Sequence, residues 1–137
     1  MLFHKHVSDI TDFNLRYTCG TAQFAFVEYI VLKSGNSYGV SVKRRGEDPD
    51  NRVEFEVSQE AVYHLLEIIN RYKADRWDGF NKSNRHVLDG NSFSLSIKCT
   101  DGRSISAQGY MSYPSGYADF RKEVDNLFET WYRGIDR

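Results

Sequence analysis

Apolar and polar residues alternate with a period of two over residues 92–99, where Phe93, Leu95, Ile97 and Cys99 interleave with Ser92, Ser94, Ser96 and Lys98. This is the pattern of a strand with one buried and one wet face. Asp101-Gly102 follows, a pair that tolerates the positive φ of a two-residue type I′ turn. The chain is therefore expected to return as a strand over residues 103–111, with Ile105 and Ala107 facing the core. The same alternation marks Phe13, Leu15, Tyr17 and Cys19, then Tyr38, Val40 and Val42, then Val53, Phe55 and Val57; in the last case Arg52, Glu54 and Glu56 form a charged outer row. Residues 24–33 differ, because both phases are apolar, as expected of a central strand covered on both faces. Glu28 lies in phase with Phe26 and Ile30 there. A carboxylate buried without a partner is costly, so Glu28 reads either as a functional acid or as a charge paired with an arginine.

The period then lengthens. Val62, Leu65, Leu66, Ile69 and Tyr72 fall on one helical stripe, Ser58 can cap the first turn, and Glu67 and Arg71 stand four apart outside the stripe, which predicts a helix over residues 59–73. A second stripe, Tyr117, Phe120, Val124, Leu127, Phe128 and Trp131, follows the strand-stopping Tyr113-Pro114-Ser115-Gly116 and ends at Gly134. Ser34-Gly35-Asn36-Ser37 reads as a hairpin loop, and residues 46–51 as a polar loop in which Pro49 breaks the ladder. Residues 74–86 show no period, and Trp77 and Phe80 are expected there as plugs at the core's edge or, failing that, as a binding platform. Residues 1–12 read as an arm or a short strand. The resulting expectation is one α+β domain over residues 1–137: a mainly antiparallel sheet of about six strands in the order ββββαββα, with two helices packed on one face.

Composition narrows the function classes. A chain of 137 residues is the size of a single domain. The net charge of −1 gives no footprint for nucleic acid, and the one compact basic run, Lys43-Arg44-Arg45, is followed directly by Glu47, Asp48 and Asp50. Aromatic residues make up 15% of the chain, and the core is their expected place. Cys19 and Cys99 are too far apart in sequence for a metal-binding pair and read as reduced, inward-facing thiols. His4-x-His6 lacks a third ligand nearby, and the acids of residues 46–51 lack the order that places oxygens around calcium, so no metal is expected. With no apolar leader and no membrane-length run, the chain is expected to be cytoplasmic.

Trp77-Asp78-Gly79-Phe80, Val87-Leu88-Asp89-Gly90, Leu95-x-Ile97, Asp101-Gly102, Ile105-x-Ala107-x-Gly109 and Tyr113-Pro114-x-Gly116-Tyr117 together resemble a family of uncharacterised bacterial α+β domains. Such domains carry a W-D-G-F turn, a V-L-D-G turn, a hairpin, and a Tyr-Pro step before the last helix. The likeness covers about the second half of the chain, with Tyr110 to Ser112 standing where the family has small or Asn-containing residues. It implies a bacterial, cytoplasmic protein and supplies no catalytic residue and no activity.

No Gly-rich phosphate loop, Gly-x-Ser-x-Gly elbow or His-Glu-x-x-His helix occurs, so no cofactor is expected. The residues most like a site are Trp77, Asp78, His86, Asp89, Tyr110 and Tyr113, which could surround a pocket for a small polar ligand if the segment after the first helix folds over the hairpin's open end. The same residues also serve as turn formers and edge covers. The preferred reading is a non-catalytic binding or protein-interaction module, with a protein partner or a second copy of the chain as occupant and neither nucleic acid nor membrane. A small hydrolase-like enzyme using His86 with Asp78 or Asp89, and a single-strand nucleic-acid binder with an aromatic sheet face, are the alternatives.

Overall fold

The computed structural model describes residues 4–84 and 90–134. Strands β1 (Ile10–Thr18), β2 (Phe26–Ser34), β3 (Ser37–Lys43) and β4 (Val53–Ser58) lead into helix α1 (Gln59–Arg71). A short strand β5 (Asn81–Ser83), the hairpin β6 (Ser92–Cys99) and β7 (Ser104–Tyr110), and helix α2 (Tyr117–Arg133) complete the chain. All seven strands form one sheet in the order β4-β3-β2-β1-β6-β7-β5. Every pairing is antiparallel except that of β5 with β7. The α+β class, the antiparallel bias and the two helices agree with the sequence, and β5 is the added element. Three exposed residues are too few to show a period.

Alternation sets the register. Phe13, Leu15 and Tyr17 of β1 stand opposite Val31, Tyr29 and Val27 on one side and opposite Ile97, Leu95 and Phe93 on the other. These rows face the helices. Phe128 of α2 stacks on Tyr29 at 4.3 Å between ring centroids and lies 6.0 Å from Phe13. Trp77 meets Phe120 edge-on at 5.0 Å. The two helices are tied by Glu123 of α2, which accepts from Arg71 and from the Tyr72 hydroxyl. Arg71 thus pairs across to the second helix and not with Glu67, because the neighbouring helix offers a carboxylate on the side where Arg71 emerges.

Ser58 caps α1 as expected, its hydroxyl accepting from Ala61 N at 3.2 Å. Residues 4–9 form an arm, not a strand, with Val7 fully buried. Asn70 clasps Val7 by both its backbone N–H, at 2.8 Å, and its carbonyl, at 2.9 Å. Asp75 takes His4 Nδ1 and Lys5 N, each at 2.6 Å. His4 is therefore part of this clasp, and among the described residues no group of three His, Cys, Asp or Glu side chains could hold a metal.

Two expectations change. The loop after β6 has three residues: Cys99 N donates to Arg103 O at 2.8 Å and Gly102 N to Cys99 O at 3.1 Å. Only Gly102, at φ +92°, is left-handed, and the Asp101 carboxylate takes Arg103 N at 3.0 Å and Arg103 Nε at 2.8 Å. A type I turn closed by a glycine bulge serves where a two-residue type I′ turn was expected. Strand β2 is interior but is covered on one face alone: Val27, Tyr29 and Val31 are buried, Phe26 and Ile30 are half-buried, and Leu32 is 50% exposed. The strand at the centre of the sheet is β1. Among the described residues no helix is long and apolar enough to cross a membrane.

Candidate functional site

Both helices lie on one face of the sheet, so the other face meets solvent with the mostly polar phase of β1, β3, β4, β6 and β7 and with Phe26, Glu28, Ile30 and Leu32 of β2. In its middle, Arg52 donates to Glu28 at 2.8 Å and to the Ser41 hydroxyl at 3.1 Å, and Asn14 approaches the second Glu28 oxygen at 3.4 Å. Glu28 is thus the paired charge and not an acid awaiting substrate. Beside it Lys43 is fully buried, with Nζ donating to the carbonyls of Phe24 at 2.9 Å, Phe26 at 2.7 Å and Arg44 at 3.1 Å. Burial lowers the pKa of this amine from its ordinary value, and the nearby Glu47 partly offsets that. Lys43 pins the end of β3 to the segment where Phe24 adopts φ +59°. Alternation alone had placed this lysine in solvent.

Of the six residues singled out in the sequence four are described, and these take separate places. Trp77 is buried, packed on Phe120 and Tyr117, as a plug would be. The Asp78 carboxylate accepts from Ser106 N at 2.9 Å while Gly79 N donates to Ser106 O at 2.9 Å, which anchors the turn on β7. Tyr113 is 41% exposed and stacks on Tyr117 at 5.1 Å. The Tyr110 hydroxyl accepts from Gly90 N at 2.8 Å. His86 and Asp89 lie outside the described residues, and with them the acid-base pairs proposed for a hydrolase.

Of the four described residues, Tyr110 lines the cleft at the sheet's upper end and the other three do not. This opening of about 310 Å³ is bordered by Arg16, Thr18, Ser94, Asn81 and Gln108. The Arg16 guanidinium sits 4.0 Å from the centroid of the Phe26 ring. The lining offers hydroxyls, amides and two cations, Arg16 and Lys82, and among the described residues no carboxylate. It can hydrogen-bond a polar group, and its described residues supply no carboxylate base for proton transfer.

A different feature stands at the opposite edge. Strand β4 pairs with β3 alone, Tyr38 opposite Val57 and Val40 opposite Phe55, and no described strand lies beyond it. Its core-facing Val53, Phe55 and Val57 are only half-buried, and Glu54 and Glu56 are exposed on the other face. Along this edge runs a groove of about 450 Å³ lined by Phe55, Val57, Ala61, Thr130 and Trp131. On the helix-free face a second hollow, about 410 Å³, opens where Gly39 carries no side chain between Leu32 and Glu56. The sequence signalled this strand through its charged outer row, but nothing local in it told that no neighbour would follow. No protein-family model and no curated protein matches the chain.

Proposed function

We propose that this protein is a non-catalytic interaction module that receives an extended segment of a partner along β4. The observation that carries the reading is a strand of six residues at the sheet's edge whose outer row of backbone N–H and C=O groups pairs with no described strand, beside an apolar groove. Such an edge is a template for another strand, and proteins that do not use one cover or shorten it. Further support comes from the helix-free face, where Ser94, Ser96, Ser104 and Ser106 are exposed and the aromatic rings of β1, β3 and β6 turn toward the core. That arrangement favours a protein partner over stacked bases. A bacterial, cytoplasmic setting belongs to the same proposal, and two unbridged cysteines support it.

Site-specific photocrosslinking in cells tests this. A benzophenone amino acid at position 56, on β4, should form an adduct with one defined partner, while the same group at exposed position 63 on α1 should not. Equal yields at the two positions, or none at position 56, would overturn the assignment.

A further inference from the structure

We infer that the segment accepted by β4 is cationic on one face and apolar on the other, and that it belongs to a different protein; this rests on the interaction reading above. Residues directly opposite across an antiparallel pair sit about 5 Å apart and point to the same face. A strand added beside β4 would therefore bring one row of its side chains against Glu54 and Glu56 and the other against Val53, Phe55 and Val57.

The two rows differ in what they accept. The acidic row continues into its surroundings: residues 46–60 carry Glu47, Asp48, Asp50, Glu54, Glu56 and Glu60 against the single cation Arg52. Arg52 is already held by Glu28 at 2.8 Å. In a chain whose net charge is −1 the acids of this stretch outnumber its cations, and Glu54 and Glu56 give the edge itself a negative row. Lys or Arg on the arriving strand would be attracted, and a third acidic row would be repelled. On the other side the groove walled by Ala61 and Trp131 takes apolar side chains that would extend the Phe55 and Val57 row.

The charge pattern also argues against a second copy as occupant. Two-fold pairing of β4 with itself has two in-phase registers of equal length, five residues each. Phe55 opposite Phe55 sets Glu54 of each copy opposite Glu56 of the other. Glu56 opposite Glu56 sets two carboxylates face to face with Glu54 two positions away on either side, so both registers place four carboxylates in one row.

Fluorescence polarisation with the full chain tests this, using labelled, end-capped peptides. The probes are an alternating Lys-Val peptide, its Glu-Val counterpart, and the Lys-Val peptide with alternate backbone amides methylated on either edge. The Lys-Val probe should bind at least about tenfold tighter than the Glu-Val probe and lose affinity as salt shortens the screening length. Methylation of the edge that faces β4 should abolish binding. In a Glu54→Lys, Glu56→Lys double variant, whose changes are confined to exposed side chains, the preference should invert toward the Glu-Val probe.

Equal affinity for both probes, an unaltered order in the double variant, or indifference to methylation would overturn the inference. So would a stable dimer by light scattering that the double variant abolishes. If crosslinks still concentrate at position 56 in those cases, edge docking stands and only the partner's chemistry is wrong.

Discussion

Asp125 of α2 holds the helix to the sheet through one atom: the hydroxyls of Tyr17 and Tyr29 both donate to Oδ1, each at 2.6 Å. Both tyrosines are buried, at 8% and 7% exposure. Replacing the carboxylate, Asp125→Ala, strands two hydroxyl donors and removes two charge-assisted bonds worth about 1.5–3 kcal/mol each. The Asp125 side chain is 28% exposed, so water can enter where the carboxylate stood, and the low end applies. The expected loss is about 3 kcal/mol, or roughly 10 °C in Tm for a domain of this size. Urea unfolding followed by the fluorescence of buried Trp77 measures it. The control is the Tyr17→Phe, Tyr29→Phe double variant, which has no donors left to strand; there Asp125→Ala should cost under about 1 kcal/mol. A loss below 1 kcal/mol in the natural background, or the full loss in the double-Phe background, would refute the assignment of the energy to these bonds.

A β-carbon at Gly109 would be driven onto the Ser112 carbonyl oxygen and to 2.9 Å from Phe93 Cε1, so Gly109→Ala should cost about 3 kcal/mol or more by the same urea assay, and near-neutral behaviour would contradict the described β7 exit. Burial raises the pKa of Tyr17, Tyr29, Tyr38 and Tyr117 above the ordinary phenol value, and the Asp125 and Asp9 carboxylates raise it further for the first three. The native state thus holds these protons more tightly than the unfolded chain; the stabilisation is complete below about pH 10 and is lost as pH rises toward the native values. Urea midpoints should hold to about pH 10 and then fall, with the tyrosinate absorbance of the buried rings emerging together with the loss of Trp77 fluorescence; a midpoint unchanged well above that pH would contradict it.

Strand positions, both helices and the packed face were readable because apolar period and turn residues act locally. Leu95 and Ile97 fall opposite Ala107 and Ile105 as the alternation requires. The type of the Asp101-Gly102 turn was not readable, since the choice depends on where the Asp101 carboxylate finds donors, and Arg103 supplies two. Lys43 escaped notice for a related reason. Its place in the polar phase says nothing of the three carbonyls that converge on its amine from a segment 17 and 19 residues earlier and from its own neighbour. The edge position of β4 depends on pairing order, which is set by contacts remote in sequence. The grouping of Trp77, Asp78, Tyr110 and Tyr113 required the segment after α1 to fold over the hairpin's open end, and where that segment docks is set by remote contacts: Asp78 is bound to β7, and Trp77 lies under α2.

The central place of β1 bears on how the chain emerges from the ribosome. Its partner on one side, β2, follows at once, but Ser92 at the start of β6 comes 74 residues after Thr18. At about 5–20 residues per second, translation leaves that flank bare for roughly 4–15 s. Through that interval Phe13, Leu15 and Tyr17 lack their β6 neighbours, so the nascent chain passes through a stage bordered by two long strands, β1 and β4, where the finished sheet ends in β4 and the three-residue β5.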